Sequence, residues 1–306
     1  MSAKEFGLWT VLTLLWGCSY LAIEVALRGF EPLPLVTGRM IIGALLLLAV
    51  VFVKDGGLRL GAAGWGIAAV VGLTGNVFPF LLISYAEQEV TSGLAALIMG
   101  IAPIVTVAVA PLIHAQETLG PLKVAGAAAG FAGVGMLVGP EAAQGFSGSL
   151  QAQLALVLAA LCYAFTTLFS RKFAYPRPLQ IAAASVLVGA IAVSCLLAGG
   201  SGESGLGDLS TAPVVAVIYL GVGSTGLAAI IYFYLVPRIG AGRMQQVNYV
   251  VPVLGTLLGI AFLGEKPGWN TWIAIPTILL GVYLVTRNSG GKPARNLGRK
   301  PSGCSG

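Results

Sequence analysis

Of the 306 residues, 57% are hydrophobic and 9% charged, against roughly 25% charged in ordinary soluble domains, and the mean hydropathy is +0.91. These values exclude a soluble globular chain and indicate an all-α integral membrane protein. The formal charge of +6 does not mark nucleic-acid binding, because the bases sit in short loops between apolar runs and in the tail, without interleaved aromatics.

Ten stretches have the length and apolarity of bilayer spans: 6–26, 33–53, 64–85, 93–113, 122–138, 150–170, 179–197, 213–236, 244–263 and 269–286. At 1.5 Å rise, about 20 residues cross the ~30 Å hydrocarbon core. The first span carries Trp9 and Trp16 and no small-residue cleavage site, which predicts an uncleaved helix rather than a signal peptide. Residues 288–306, rich in Gly, Ser, Lys and Arg, read as a disordered cytoplasmic tail able to graze anionic lipid.

Alternating the ten spans puts 14 of the 17 Lys and Arg on the side of Lys4, leaving Arg28, Arg39 and Lys266 elsewhere. The positive-inside rule then predicts both termini in the cytoplasm, with Glu87, Glu141 and Asp208 on the far side of the inner membrane.

The run GLAALIMGIAPIVTVAVAPLI at 93–113 reappears in altered form at 242–263. A displacement of 149 positions lays Gly72 on Gly221, Tyr85 on Tyr234, Gly93 on Gly242 and Pro103 on Pro252. With a one-residue gap Glu117 meets Glu265, and GVGMLV from Gly133 meets GVYLV from Gly281. The chain therefore divides into two five-helix repeats, 1–143 and 144–287. Five is odd, so the second copy enters from the opposite side and the repeats are inverted. Such halves suit alternating access, although duplication retained for packing gives the same pattern.

Neither catalysis nor metal chemistry has visible equipment. Cys18, Cys162, Cys195 and Cys304 form no C-x-x-C, a single histidine, His114, accompanies them, and no P-loop, zincin or nucleophile motif occurs. No cofactor is called for. Gly221-Val-Gly223-Ser-Thr-Gly226 matches a dinucleotide fingerprint but lies within an apolar span, where its glycines thin the helix beside a cavity and leave Ser224 and Thr225 as hydroxyls. Gly126-x-x-x-Gly130 and Gly255-x-x-x-Gly259 allow close helix approach, within one chain in preference to between chains. A monomer is slightly favoured, and the oligomeric state stays open.

What remains is polar and aromatic side chains deep in the spans. Trp16, Ser19 and Tyr20 share one face of the first helix, and Asn76 and Phe80 lie a turn apart in the third. Met99 lies in the fourth span. Tyr163, Thr166, Thr167 and Ser170 stripe the sixth, and Gln245, Asn248, Tyr249 and Pro252 the ninth. Polar groups in hydrocarbon need partners, so such faces point into the bundle or a water-filled cavity. Interhelical hydrogen bonding is the structural alternative, and four faces at one depth favour the cavity. Trp16, Ser19, Tyr20, Asn76, Phe80, Met99, Tyr163, Ser224, Thr225, Asn248 and Tyr249 are the candidate substrate contacts. Glu24 and Arg39 read as a pair, or as coupling residues, near the cavity mouth. Pro103 and Pro252 read as hinges, since each should kink its helix. Glu117 and Glu265 read as caps of the following helices.

The two five-span units, W-G-C-S-Y in the first helix, the Pro103 and Pro252 helices, and the endings AQETLG with AGVGMLVG and LGEKPG with LLGVYLV resemble the EamA branch of the drug/metabolite transporter superfamily over nearly the whole chain. Within it the chain is most similar to the YddG-type amino-acid exporters. The resemblance implies an inner-membrane exporter of small metabolites with a central cavity between the repeats, and it puts Trp16 and the two proline helices on family motif positions. Neither substrate nor coupling mode carries over.

The expected partners are the lipid bilayer and a small solute. A lining of aromatic, amide and hydroxyl groups without a fixed central charge suits a neutral or zwitterionic amino acid. Export of cationic drugs, which normally needs a deep carboxylate, and a passive channel, which needs a continuous polar pore, are the alternatives.

Overall fold

The computed structural model describes residues 1–90, 95, 98–113, 120–145, 150–173, 177–199, 210–251, 253–254 and 268–287. Every regular element among them is a helix. In the first half these are α1 (Ala3–Ala26), α2 (Pro32–Asp55), α3 (Ala62–Gly72), the π-helical segment π1 (Leu73–Val77), α4 (Phe78–Ala86), α5 (Ile101–Ile113) and α6 (Pro121–Gly145). In the second they are α7 (Leu150–Lys172), α8 (Pro178–Gly199), α9 (Thr211–Tyr219), π2 (Leu220–Leu227), α10 (Ala228–Ile239), α11 (Ala241–Gln245) and α12 (Trp269–Arg287). Six helical stretches, Ala3–Ala26, Pro32–Asp55, Ala62–Ala86, Leu150–Lys172, Pro178–Gly199 and Thr211–Ile239, are long and apolar enough to cross a membrane.

Helix ends follow local chemistry. Ser2 and Glu5 form a capping box on α1, with the Ser2 N–H donating to Glu5 Oε2 at 2.7 Å. Prolines open α2 in its first turn, where the missing N–H costs nothing, and Gly56 closes it in the left-handed region at φ 69°. Large apolar side chains face outward along the bundle, among them Phe52, Val53, Leu112, Trp269 and Trp272, as lipid rather than water requires.

The interior is built on small-residue contacts between the halves. A Cβ on Gly72 would lie 2.5 Å from the Ser185 carbonyl oxygen, and one on Gly221 would lie 2.5 Å from Ile42 Cβ. These glycines, 149 positions apart, bring α3 onto α8 and π2 onto α2. At the bundle's other seam α6 lies along α12: a Cβ on Gly281 would come within 2.5 Å of the Gly130 nitrogen and 2.6 Å of the Gly126 oxygen. The Gly126-x-x-x-Gly130 motif is thus occupied within the chain; Gly255 and Gly259 lie outside the described residues.

Spans three and eight each contain π-helix at matching places. The Phe78 N–H bonds to the Leu73 carbonyl and the Ala228 N–H to that of Gly223, both five residues back. A π segment widens the turn and leaves backbone less tightly closed, a feature often found at functional sites. The fourth span breaks at Gly100, and α5 resumes at Ile101 with Pro103 as its third residue. Pro103 has no N–H for the Met99 carbonyl, and its ring crowds that position, so the helix is interrupted just upstream. Pro252, Glu117 and Glu265 lie outside the described residues.

Candidate transport cavity

Between the halves lies a cavity whose lining comes from α1, α2, the third span, α7, α8, the eighth span, α11 and the residues after it. Its empty space is about 1030 Å³, a figure that includes the part open to its surroundings. Trp16, Ser19, Tyr20, Asn76, Phe80, Tyr163, Ser224, Thr225 and Asn248 all line it, as do Arg39, Thr166, Thr167 and Gln245.

The lining is largely doubled. Asn76, Phe80 and Ile83 of the third span match Thr225, Ala229 and Tyr232 of the eighth, each 149 positions on, and all six line the cavity. Trp16, Ser19 and Tyr20 match Tyr163, Thr166 and Thr167 at a displacement of 147. Spacings of three and four residues put each triplet on one helix face. The pattern also identifies Tyr232, which the aromatic run of its apolar span concealed from the sequence reading.

Two groups of the expected set lie elsewhere. Tyr249 is fully buried on the flank of its helix: its hydroxyl donates to the Ala127 carbonyl at 2.9 Å, and its ring occupies the space that a Cβ on Gly130 would need. Met99 packs in the main apolar core. Among the described residues the ninth span contributes Met244, Gln245, Asn248 and Val251.

One side of the cavity is a polar network. Gln245 Nε2 donates to the Tyr163 carbonyl at 2.9 Å and to Thr167 Oγ1 at 2.8 Å, Asn248 Nδ2 donates to Gln245 Oε1 at 2.6 Å, and the Thr167 and Tyr232 hydroxyls lie 3.0 Å apart. Trp16 Nε1 donates to the Ser224 carbonyl at 3.1 Å, and its ring lies 5.9 Å from that of Tyr232 at 46°. The Tyr232 ring in turn meets Phe233 edge to face at 5.3 Å. Other polar groups stay uncommitted. Among the described residues the Tyr20 and Tyr163 hydroxyls and the Asn76 amide have no hydrogen-bond partner.

The expected Glu24–Arg39 pair does not form. Glu24 reaches Arg28 on the exposed side of its own helix at 3.3 Å. Arg39 is 3% exposed and lines the cavity, seven residues, or roughly 10 Å at helical rise, into α2. Its Nε donates to Thr225 Oγ1 and its Nη2 to Ser224 Oγ, both at 3.2 Å, while the guanidinium lies 3.7 Å from the Phe80 ring centre. The expected lining without a fixed charge is thus corrected: a cation stands in it. Glycines on both sides serve this contact: a Cβ on Gly43 of α2 would lie 2.8 Å from Thr225 and one on Gly226 of the fingerprint 2.7 Å from Leu46, which fixes π2 against α2.

Glu87, expected on the far side of the membrane, has both carboxyl oxygens buried and without hydrogen-bond partners among the described residues at the end of α4. Burial, followed by the nearby Glu24 charge, pushes its carboxyl well above the usual range, and Arg39 opposes this. An unfolded Glu titrates near about 4.3. The stability contributed by this protonated carboxyl is therefore complete below that pH, falls as pH rises, and is lost once pH passes the higher folded value. Glu87→Gln is expected to flatten the decline of the melting temperature in detergent as pH rises above about 4.3, the unfolded value. Equal pH slopes in both proteins would show that Glu87 is ionised throughout.

A helical membrane bundle enclosing such a cavity has the architecture of a small-solute transporter. The chain belongs to the EamA-like transporter family, which matches it twice, over residues 6–139 and 150–287. It is 26% identical over 92% of its length to 90% of the uncharacterized inner membrane transporter YedA of Escherichia coli K12. It is 25% identical, over 92% of its length and 93% of the relative, to a probable terminal-alkyne amino-acid exporter of Streptantibioticus cattleyicolor. A crystal structure 24% identical in sequence shares the fold with a TM-score of 0.75 over 94% of this chain and 99% of that one.

Proposed function

We propose that the chain is an inner-membrane carrier that exports amino acids with apolar side chains, and related small metabolites, by alternating access of this cavity. The observation that carries the reading is the doubled lining: matching triplets from both halves face one space and leave amide and hydroxyl groups uncommitted. Inversion of the halves is supported by the matched glycine contacts, α3 on α8 and π2 on α2, which an exchange of the two halves would interconvert. The amino-acid exporter among the relatives supports the solute class.

The test is uptake into liposomes holding the purified chain, with a panel of labelled amino acids. Saturable uptake of neutral amino acids, absent from empty liposomes, is the expected result; no uptake of any member contradicts it.

From the excess of Lys and Arg on the side of Lys4 we infer that both termini lie in the cytoplasm. A single cysteine at the exposed Glu89, in a background without native thiols, is expected to react with an impermeant maleimide added outside intact cells. Reaction only after permeabilisation reverses the orientation.

A further inference from the structure

The doubled lining is broken at one point. Arg39 of α2 corresponds, at the displacement of 147, to Val186 of α8, and both line the cavity. One half supplies a cation where the other supplies a methyl-bearing wall. Arg39 is 3% exposed, the hydrogen-bond partners of its guanidinium are the neutral hydroxyls of Ser224 and Thr225, and no carboxylate lies within 4.0 Å of it among the described residues. Glu87 is near enough to act on it electrostatically but forms no bond with it. Nη1 has no hydrogen-bond partner among the described residues. A charge buried without a counter-ion is costly in a membrane interior, and such residues mark solute pathways.

We propose that Arg39 is the anchor for a carboxylate of the transported solute, so that the substrates are small carboxylic acids, α-amino acids above all, and not cations. The inference rests on the reading of the cavity as the transport path. Nε and Nη2 are held by Thr225 and Ser224, and Phe80 covers the guanidinium face, so the fork is set in one orientation with Nη1 free to meet an oxyanion. The α-ammonium of an amino acid meets neutral acceptors, the Asn76 amide oxygen and the Tyr20 and Tyr163 hydroxyls. Its side chain packs against Trp16 and Tyr232. A phosphate ester presents the same anionic oxygens, but a single guanidinium matches one carboxylate and leaves a dianion half neutralised.

The test compares L-phenylalanine, L-phenylalaninamide, 2-phenylethylamine and O-phospho-L-serine as competitors of labelled phenylalanine uptake in liposomes holding the full chain. In the wild type the acid is expected to compete about ten- to a hundredfold more strongly than the amide or the amine, the range that follows from one charge-assisted hydrogen-bonded contact. In Arg39→Gln, with labelled phenylalaninamide as tracer, acid and amide are expected to compete within about twofold of each other. Arg39→Lys is expected to keep part of the preference. A purely structural Arg39 would weaken all competitors together and leave their ratio unchanged, which overturns the proposal. So does a wild type that takes amide and acid alike, or one that prefers phosphoserine. The wild-type comparison needs no variant, so a poorly folding Arg39→Gln does not shield the proposal. Should no amino acid be carried at all, the reading of the cavity as a transport path fails first.

Discussion

Replacing Ala229 with tryptophan is expected to lower transport by at least about tenfold while leaving the melting temperature in detergent within a few degrees of the wild type. Ala229 lines the cavity on the face shared by Thr225 and Tyr232, and it is partly buried. An indole there occupies the volume that a solute needs without entering the glycine seams that hold the halves together. A tenfold loss is the equivalent of roughly 1.4 kcal/mol, and a blocked cavity can exceed it. Normal flux in this variant would move the solute path elsewhere in the bundle.

The second large effect is expected from Trp16→Ala. The indole forms one wall of the cavity, facing Tyr232, and its Nε1 holds the carbonyl of Ser224, a residue that also positions Arg39. Removing it takes apolar contact from a large side chain, on the order of 1.5–3 kcal/mol for complete burial of such a group. The KM for phenylalanine is expected to rise about tenfold or more, and that for alanine by less than about threefold. Trp16→Phe retains most of the ring and is expected to recover most of the difference. A parallel rise in both KM values would show that Trp16 acts on the architecture and not on the solute.

The helices were legible because hydrocarbon imposes one solution on the backbone, so apolar length alone nearly fixes each span. The expected span 33–53 corresponds to α2 at Pro32–Asp55, and 150–170 to α7 at Leu150–Lys172. The cavity faces in spans one, three and six were legible through helical spacing, since residues three and four apart share a side whatever the neighbours are. What spacing cannot give is the identity of the neighbour. Tyr249 follows Asn248 directly, yet the room left by Gly130 and the carbonyl of Ala127 hold its side chain out of the cavity lining. Arg39 was placed near the mouth by counting turns, whereas the hydroxyls of Ser224 and Thr225, 185 and 186 residues away, hold it in the cavity wall.

The π segments have no pattern that sequence periodicity detects, although Gly72 and Gly221 mark where both begin. Its position just after a span puts Glu87 on the far side of the membrane but does not show that its carboxyl is buried. Its burial depends on the packing of other helices around the end of α4.

Counterflow tests the carrier reading most directly. Liposomes holding the purified chain are loaded with unlabelled phenylalanine and diluted into a trace of the labelled amino acid. A carrier that exposes one cavity alternately to each side is expected to accumulate label transiently above its outside concentration, in the wild type but not in Ala229→Trp. Entry of label that never exceeds equilibration and is indifferent to the internal load would contradict alternating access and leave a passive pore.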